Sequence, residues 1–371
     1  MKLIVVVASL LLVTFVSWLP FYLKINLPFW QMNFGEGAVT LWKNYDGPNY
    51  LIVAKTWYDK ASILNNFSNP LPAEYYPAHF PLYPSVIWLF DLVTTGTNAM
   101  LLATVLGSVL CFGMFYKYIN EFKISLNPLW LSIVFLFLPA RFLSLRIIGS
   151  PEPWFIFFIL ASLYFFRKEK FWWAGIWGYF AMLTKSPAVL LLAAYGVYAL
   201  AESIKNKKIE WKYYPILIMP LAIVDLFYLY KLRTGDFFAY FNSGDNFHLF
   251  FPPFSIFAPQ GQVWVGNFWL EDIIWTWLIF GLGVLALRKK ELKIEQLFAG
   301  IFFISTLFVA HRDVSRYIIP VAPFVLMGLD KYLQKKEFKI MLTILALPIL
   351  LYSWNFLLHN TSPVADWAPY L

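Results

Sequence analysis

Two carboxylates in this sequence stand where they could carry chemistry, and the first is Asp46. It lies in the run YDGPNY (45–50), inside a hydrophilic stretch from 24 to 79 that follows the first apolar run. A carboxylate flanked by Tyr45 and Gly47 could serve as a general base toward a hydroxyl group. Two simpler interpretations stay open: an exposed loop carboxylate, or the cap of a helix that begins near Pro48.

The second carboxylate, Glu152, lies between Pro151 and Pro153, where another apolar run begins. An acidic residue in the first turn of a helix also interacts favourably with the helix dipole, so a purely structural role is an equal alternative. Asp236, in TGD (234–236), could contact a sugar or could simply complete a turn.

Basic residues near the ends of apolar runs form a third group. They are Arg141, Arg146, Lys185, Arg233, Arg312 and Arg316. Such side chains can extend to the membrane interface without any further role. If they share one face of the membrane, however, they call for an anionic partner. A lipid phosphate suits the forked donors of arginine.

The histidines do not suggest a metal site. His79, His248 and His311 are far apart in the sequence, and there is no His-x-x-x-His pair or acidic triad. A divalent ion shared by acids of the first loop is the weaker alternative, but it stays open.

Composition indicates the class of protein that must position these groups. Of the 371 residues, 60% are hydrophobic and 13% are charged, whereas a soluble domain needs a more polar surface. The apolar runs lack the alternation of a transmembrane barrel. The net charge of +8 is spread in short clusters between apolar runs, which argues against nucleic-acid binding. The sequence therefore predicts an all-α integral membrane protein.

Apolar runs between charged breaks predict about eleven transmembrane helices in a single domain, 1–371. They cover residues 3–23, 99–118, 128–147, 153–166, 171–184, 187–203, 213–231, 269–288, 294–310, 316–332 and 339–358. Several are shorter than the roughly 20 residues that a bilayer needs. We expect these to be tilted, or to be broken at proline. The two long loops are 24–98, which carries juxtamembrane helices, and 232–268.

The basic clusters predict which side of the membrane each loop faces. If residues 80–97 lie along the surface instead of crossing, the clusters at 2, 117–123, 167–170, 205–212, 288–293 and 331–339 all fall on one side. By the positive-inside rule that side is cytoplasmic. Both long loops and the candidate residues above then face the extracytoplasmic side.

A series of short motifs resembles the PIG-V-like mannosyltransferases of the GT-C class. The first is Tyr45-Asp46-Gly47-Pro48-Asn49-Tyr50, which is similar to the family's aromatic-Asp-Gly motif. The others, in the family's order, are HFPLYP (79–84), SPE (150–152), LTKSP (183–187), TGD (234–236) and RY (316–317) with Pro320. Lys185 stands where the family more often has arginine, and His79 where it often has phenylalanine.

The resemblance implies a GT-C-like multi-pass helical bundle and an inverting transfer of a sugar, here mannose, from a polyprenyl-phosphate donor. The acceptor would be a hydroxyl of a glycan or glycolipid, and no metal cofactor is expected, because members of this family usually need none. Asp46 would deprotonate that hydroxyl, while Arg316 and Lys185 stabilise the leaving phosphate. The expected substrate-binding residues are Tyr45, Asn49, Tyr50, His79, Tyr83, Glu152, Lys185, Asp236, Arg312, Arg316 and Tyr317.

The expected setting is the plasma membrane of a prokaryote, with the active site on the extracytoplasmic side. Membrane lipid, the donor and the acceptor are the expected partners, and nucleic acid is not. A transporter or flippase of a lipid-linked saccharide is the alternative, but such proteins often have two related halves, and this sequence shows no internal repeat. A structural scaffold would explain the anchored helices but not the basic residues on the extracytoplasmic side.

Overall fold

The fold comes from a computed structural model, which describes residues 2–68, 71–244, 246, 248–258, 269–290 and 292–371. The last part of the predicted 232–268 loop, residues 259–268, therefore lies outside the described residues.

Nearly all the secondary structure of the described chain is helical. Its first half forms α1 (Lys2–Leu23), α2 (Val39–Trp42), α3 (Gly47–Thr56), α4 (Lys60–Asn66), α5 (Leu82–Asp91), α6 (Gly96–Glu121), α7 (Pro128–Phe137), α8 (Ala140–Leu145) and α9 (Glu152–Arg167). Its second half forms α10 (Phe171–Thr184), α11 (Val189–Asn206), α12 (Leu221–Thr234), α13 (Ala239–Asn242), α14 (Trp269–Ala286), α15 (Lys293–Thr306), α16 (Val314–Tyr317), α17 (Ala322–Leu333) and α18 (Lys336–His359).

Shorter elements join these helices. Two short antiparallel strands, β1 (Asn26–Leu27) and β2 (Met32–Asn33), form a hairpin in the first loop. The 3₁₀ helices are Pro28–Trp30, Ala73–Ala78, Ser186–Ala188, Trp211–Ile218, Ser255–Phe257, Leu287–Lys290, Ile319–Val321 and Ala368–Tyr370.

The predicted all-α membrane class is confirmed, and helices occupy the predicted spans. Within the described residues, six helical segments are long and apolar enough to cross a bilayer: Lys2–Leu23, Gly96–Glu121, Ser186–Asn206, Trp211–Thr234, Trp269–Lys290 and Lys336–His359. The other predicted spans are shorter helices, and the span at 128–147 is divided between α7 and α8. Helix length alone therefore does not establish the predicted number of eleven transmembrane helices.

The ambiguous segment 80–97 contains only a short helix. α5 has 10 residues, which at about 1.5 Å per residue reach about 15 Å, half the thickness of the hydrocarbon core. It packs against α3 and α6. A single α5 is therefore too short to cross the membrane.

α9 runs through the centre of the bundle. Nearly all of its residues are buried, as expected for a helix that is apolar on every side, and it packs mainly against α6 and α10. Two hydrogen bonds fix it: Trp154 Nε1 donates to the Ala103 carbonyl at 2.8 Å and the Ser162 hydroxyl to the Ala174 carbonyl at 2.7 Å. This packing holds Glu152 at one end of the bundle core and Arg167 at the other.

α14 and α17 approach closely through glycines, a packing mode common between membrane helices. A Cβ on Gly328 would lie 2.1 Å from the carbonyl oxygen of Gly283, and a Cβ on Gly283 would lie 2.5 Å from Val325 Cγ1. Because the opposing atom at Gly328 is backbone, it cannot move aside as a flexible side chain would. The contact also positions α17, which follows α16 in the chain.

We therefore expect Gly328→Ala to destabilise the protein, by about 1–3 kcal/mol or more, the usual cost of overpacking. Thermal unfolding of the purified protein in detergent would measure the loss. Gly196→Ala is the matched control, because Gly196 lies in α11 with no heavy atom within 4 Å of the added Cβ. Equal unfolding temperatures for the two variants would contradict the glycine contact.

Candidate active site

Four segments far apart in sequence deliver the charged groups of one cavity. Asp46 immediately precedes α3, whose first turn contains Pro48, and Glu152 is the first residue of α9. Lys185 lies in extended backbone between α10 and the 3₁₀ helix Ser186–Ala188. Arg316 lies in the single turn of α16.

Arg316 joins the two candidate carboxylates. Its Nε donates to Glu152 Oε1 at 2.9 Å, and its Nη2 donates to Asp46 Oδ2 at 3.3 Å. The guanidinium also lies over the Tyr45 ring, 4.1 Å from the ring centroid. One planar cation therefore positions the carboxylates and the aromatic residue beside them.

Glu152 is a buried carboxylate with several partners. Its side chain is 2% exposed. Lys185 Nζ donates to Oε1 at 2.9 Å, the same oxygen that Arg316 contacts, and the Ser150 hydroxyl donates to Oε2. Two cations and a hydroxyl thus compensate the cost of burying this charge. Glu152 does more than complement the dipole of α9.

Asp46 is more accessible, with 31% of its side chain exposed. It stands at the N-cap position of α3, but its side chain makes no capping hydrogen bond. The Asp46 side chain therefore does not cap α3, which was one of the two simpler interpretations. Its Oδ2 accepts a hydrogen bond from Arg316 instead. Asp46 lines a cavity of about 380 Å³.

Beside this pair, Tyr45, Asp313 and Arg141 form a second polar cluster. The Tyr45 hydroxyl donates to Asp313 Oδ2, and Arg141 Nη2 donates to Asp313 Oδ1 at 2.6 Å and to the Tyr45 hydroxyl at 2.7 Å. Burial raises the pKa of Tyr45 to about 12, although Arg316 opposes the shift. Burial alone would raise the pKa of Asp313, yet Arg141, Tyr45 and Arg316 hold it below its ordinary value. At neutral pH Tyr45 is thus a protonated donor and Asp313 an ionised acceptor.

Aromatic side chains form much of the remaining wall. The His79 ring packs edge-on against Tyr50, with centroids 4.8 Å apart, and against Tyr75 at 5.3 Å. Burial lowers the pKa of His79, so its ring is neutral at pH 7. The rings of His248 and His311 stack at 4.5 Å. No group of three His, Cys, Asp or Glu side chains suited to a metal ion occurs among the described residues.

The structure brings most of the predicted site residues together. Those that line the cavity are Tyr45, Asp46, Tyr50, His79, Glu152, Lys185, Arg316 and Tyr317. Two others lie behind the wall: Asn49 is buried in α3, and Tyr83 accepts from the Ser150 backbone N–H at 3.0 Å. Tyr83 therefore supports the segment that leads into Glu152.

Two predicted residues lie away from this cavity. Asp236 accepts from the Phe238 N–H at 2.9 Å and from Asn242 Nδ2 at 2.6 Å. These local bonds fit the simpler of its two predicted roles, the completion of a turn. Arg312 lines a neighbouring cavity of about 510 Å³, together with Arg141 and Asp272.

Sequence reasoning missed Asp313, Tyr75 and Asn246, which also line the cavity. The polar run His311–Arg316 was recognisable in the sequence, because it separates two apolar segments. Nothing in that run distinguished Asp313, which faces the cavity, from Arg312, which does not.

An apolar path leads out of the cavity between α11 and α15. Ser186, Pro187, Phe302 and Tyr317 are shared with an adjoining apolar pocket of about 120 Å³. That pocket shares Leu190, Leu249 and Ser305 with an outer groove of about 400 Å³. The outer groove is completed by Phe250, Phe251, Ile301, Ile304 and Phe308. A polar chamber thus continues into a lipid-compatible groove on the side of the bundle.

No protein-family model and no curated protein sequence matches this chain. Among solved structures it is similar to ArnT from Cupriavidus metallidurans, crystallised bound to undecaprenyl phosphate, with a TM-score of 0.57 and 16% sequence identity. The match covers 93% of this chain and 63% of ArnT, so the chain spans less than two thirds of that protein's length. At this identity the likeness shows the fold, which is of the GT-C type.

We expect Glu152→Gln to lower the free energy of unfolding by about 3–5 kcal/mol, as when one partner of a buried ion pair is removed. Arg316 and Lys185 would keep their charges without the buried anion they share. Chemical or thermal unfolding in detergent would measure the change. Glu337→Gln makes the same substitution at an exposed position of α18, and a comparable loss there would contradict this role of Glu152.

Proposed function

We propose that this chain is a membrane glycosyltransferase that uses a polyprenyl-phosphate sugar and transfers the sugar to a hydroxyl acceptor with inversion. One observation carries the proposal: a chamber lined by three carboxylates, Asp46, Glu152 and Asp313, and by two cations, Lys185 and Arg316, opens sideways into an apolar groove. Such a shape suits a substrate with a charged head and a long lipid tail. Neither a soluble sugar nor a soluble nucleotide needs the groove.

The head of the donor fits the charged end of the chamber. Lys185 uses one of its three N–H donors on Glu152, and Arg316 uses Nε and Nη2 on the two carboxylates. Donors of both cations thus remain for phosphate oxygens. The isoprenoid tail would then lie along Leu190, Ile301 and Ile304, between α11 and α15.

Asp46 is placed to act on the acceptor. In the proposed step its free carboxylate oxygen takes the proton of the acceptor hydroxyl. The acceptor oxygen forms a bond to the anomeric carbon as the bond from that carbon to the phosphate oxygen breaks. The electron pair leaves with the polyprenyl phosphate, whose charge Lys185 and Arg316 stabilise. Arg316 also orients Asp46, so one residue would position the base and the leaving group.

Further features support parts of this proposal. The GT-C fold and the undecaprenyl phosphate bound in ArnT favour a polyprenyl-phosphate donor. The motifs that resemble PIG-V-like enzymes favour mannose as the sugar, with a lipid-linked or cell-surface glycan as the acceptor. The basic clusters favour an active site on the extracytoplasmic side of the membrane. We place the protein in the plasma membrane of a prokaryote.

We expect Asp46→Asn to lower sugar transfer by 10²-fold to 10⁴-fold, the usual contribution of a general base. The protein should stay folded, because the asparagine carbonyl can still accept from Arg316. The purified protein would be incubated with polyprenyl-phosphate mannose and a panel of glycolipid acceptors, and the labelled product counted.

Asp366→Asn, in an exposed turn near the chain end, is the matched control and should transfer at the wild-type rate. Undiminished transfer by Asp46→Asn would remove Asp46 from the mechanism. Movement of a lipid-linked sugar across reconstituted vesicles, without a new glycosidic bond, would instead favour the transporter alternative.

If the donor's tail lies in the groove, a bulky side chain there should weaken donor binding. Ile301→Trp should fill part of the groove and raise KM for an undecaprenyl donor about 10-fold, which corresponds to about two methylene groups of the tail that are no longer buried. KM for a short-tailed donor should change little. Leu200→Trp, on the exposed surface of α11, is the control. Equal effects on both donors would contradict a tail site in this groove.

A further inference from the structure

A larger cavity, of about 680 Å³, lies at the opposite end of the bundle from the candidate active site. Arg167, which ends α9, lines it, whereas Glu152 begins that helix. The 16 residues of α9 separate the two sites by about 24 Å. Nothing in the proposed sugar transfer uses this second cavity.

The charges that line this far cavity are mainly positive. Arg167 Nη1 donates to the buried Glu295 carboxylate at 3.2 Å, and that pair is internally neutral. The side chains of Arg288 and Lys293 form no hydrogen bond or ion pair with any residue that the structure describes. Among the lining residues that the structure describes, the exposed carboxylate of Glu169 is the other charge. Within that part of the chain, two available cations thus face one carboxylate.

The first turn of α15 also borders the cavity. Lys293, Ile294 and Glu295 belong to this turn. The N-cap residue, Leu292, makes no side-chain capping hydrogen bond, and the acid within the turn, Glu295, is paired with Arg167. The backbone N–H groups at a helix start favour an anion. These N–H groups add to the attraction that Arg288 and Lys293 exert on an anion from the same side of the cavity.

Exposed aromatic residues indicate the depth of the cavity in the membrane. Phe171 and Tyr213 line it. The side chains beside them, Trp172, Trp211 and Tyr214, are more than half exposed at 54%, 72% and 54%. Tryptophan and tyrosine collect where lipid headgroups meet the acyl chains. The cavity therefore lies at the level of the phosphate groups of the adjacent leaflet.

We propose that this cavity binds the phosphate of an anionic membrane phospholipid, held by Arg288, Lys293 and the start of α15. The aromatic wall of Phe166, Phe171 and Tyr213 packs beside the glycerol and the first acyl carbons. A phosphate in the leaflet reaches the site without leaving the membrane, which is why a lipid suits it better than a soluble phosphate ester. The site is independent of the proposed sugar transfer.

The test is lipid binding to the full chain in detergent micelles. Native mass spectrometry would measure retention of phosphatidylglycerol and of phosphatidylcholine by the wild type and by the double variant Arg288→Gln, Lys293→Gln. Each cation near a membrane surface contributes about 1 kcal/mol of attraction, so the double variant should bind phosphatidylglycerol roughly 10-fold to 30-fold more weakly. The wild type should prefer phosphatidylglycerol to phosphatidylcholine.

Two controls separate this site from general surface charge and from damage to the fold. Lys205→Gln, Lys207→Gln removes two exposed cations at the end of α11 and should leave phosphatidylglycerol binding unchanged. Glu169→Gln removes the opposing carboxylate and should tighten binding by a few-fold, a gain that misfolding cannot produce. Thermal unfolding of each variant would confirm that it is folded.

An equal loss in the Lys205 and Lys207 control, or no preference for phosphatidylglycerol in the wild type, would overturn the proposal. Displacement of the lipid by an equal concentration of glycerol phosphate would assign the cavity to a soluble phosphate ester instead. Activity is not needed as a readout, so failure here leaves the proposed sugar transfer untouched.

Discussion

The buried charge of Glu152 is the constraint on which the rest of the structure depends. An ionised carboxylate taken out of water costs several kcal/mol unless cations and hydrogen-bond donors surround it. Arg316, Lys185 and the Ser150 hydroxyl meet that need. They come from separate segments, so neutralising one carboxylate ties the start of α9 to α16 and to the end of α10. Arg316 then reaches Asp46, whose position depends on the same guanidinium.

The burial of α9 extends that constraint along the bundle. Its two ends are alike in one respect: each places an arginine beside a buried carboxylate at the edge of a cavity. Arg316 contacts Glu152 at one end, and Arg167 contacts Glu295 at the other. They differ in what lies outside. The first cavity opens into an apolar groove between helices, whereas the second is bordered by aromatic side chains. One scaffold therefore carries two polar cavities with different surroundings, one at each end of α9.

Tyr45 divides the candidate active site from the cavity beside it. Its ring lies under the Arg316 guanidinium, while its hydroxyl bonds to Asp313 and Arg141. Because burial keeps this phenol protonated, it acts as a fixed donor and not as a second base. Of the three carboxylates that line the chamber, Asp46 has the most exposed side chain, at 31%. This division explains why Arg312, only four residues before Arg316, lines a different cavity. The two do not share a helical face, since α16 begins only at Val314.

The sequence by itself determined the membrane class, the places where helices begin and the short polar segments between them. These depend on local properties: the length of apolar runs, prolines such as Pro48 and Pro153, and charged breaks. It also singled out Asp46, Glu152, Lys185 and Arg316 as candidates. Only the tertiary structure decided which groups meet, because each decisive contact joins residues that are far apart in the chain. Asp313 was missed for that reason: its partners Tyr45 and Arg141 lie 268 and 172 residues away, and no local pattern records which way its side chain faces.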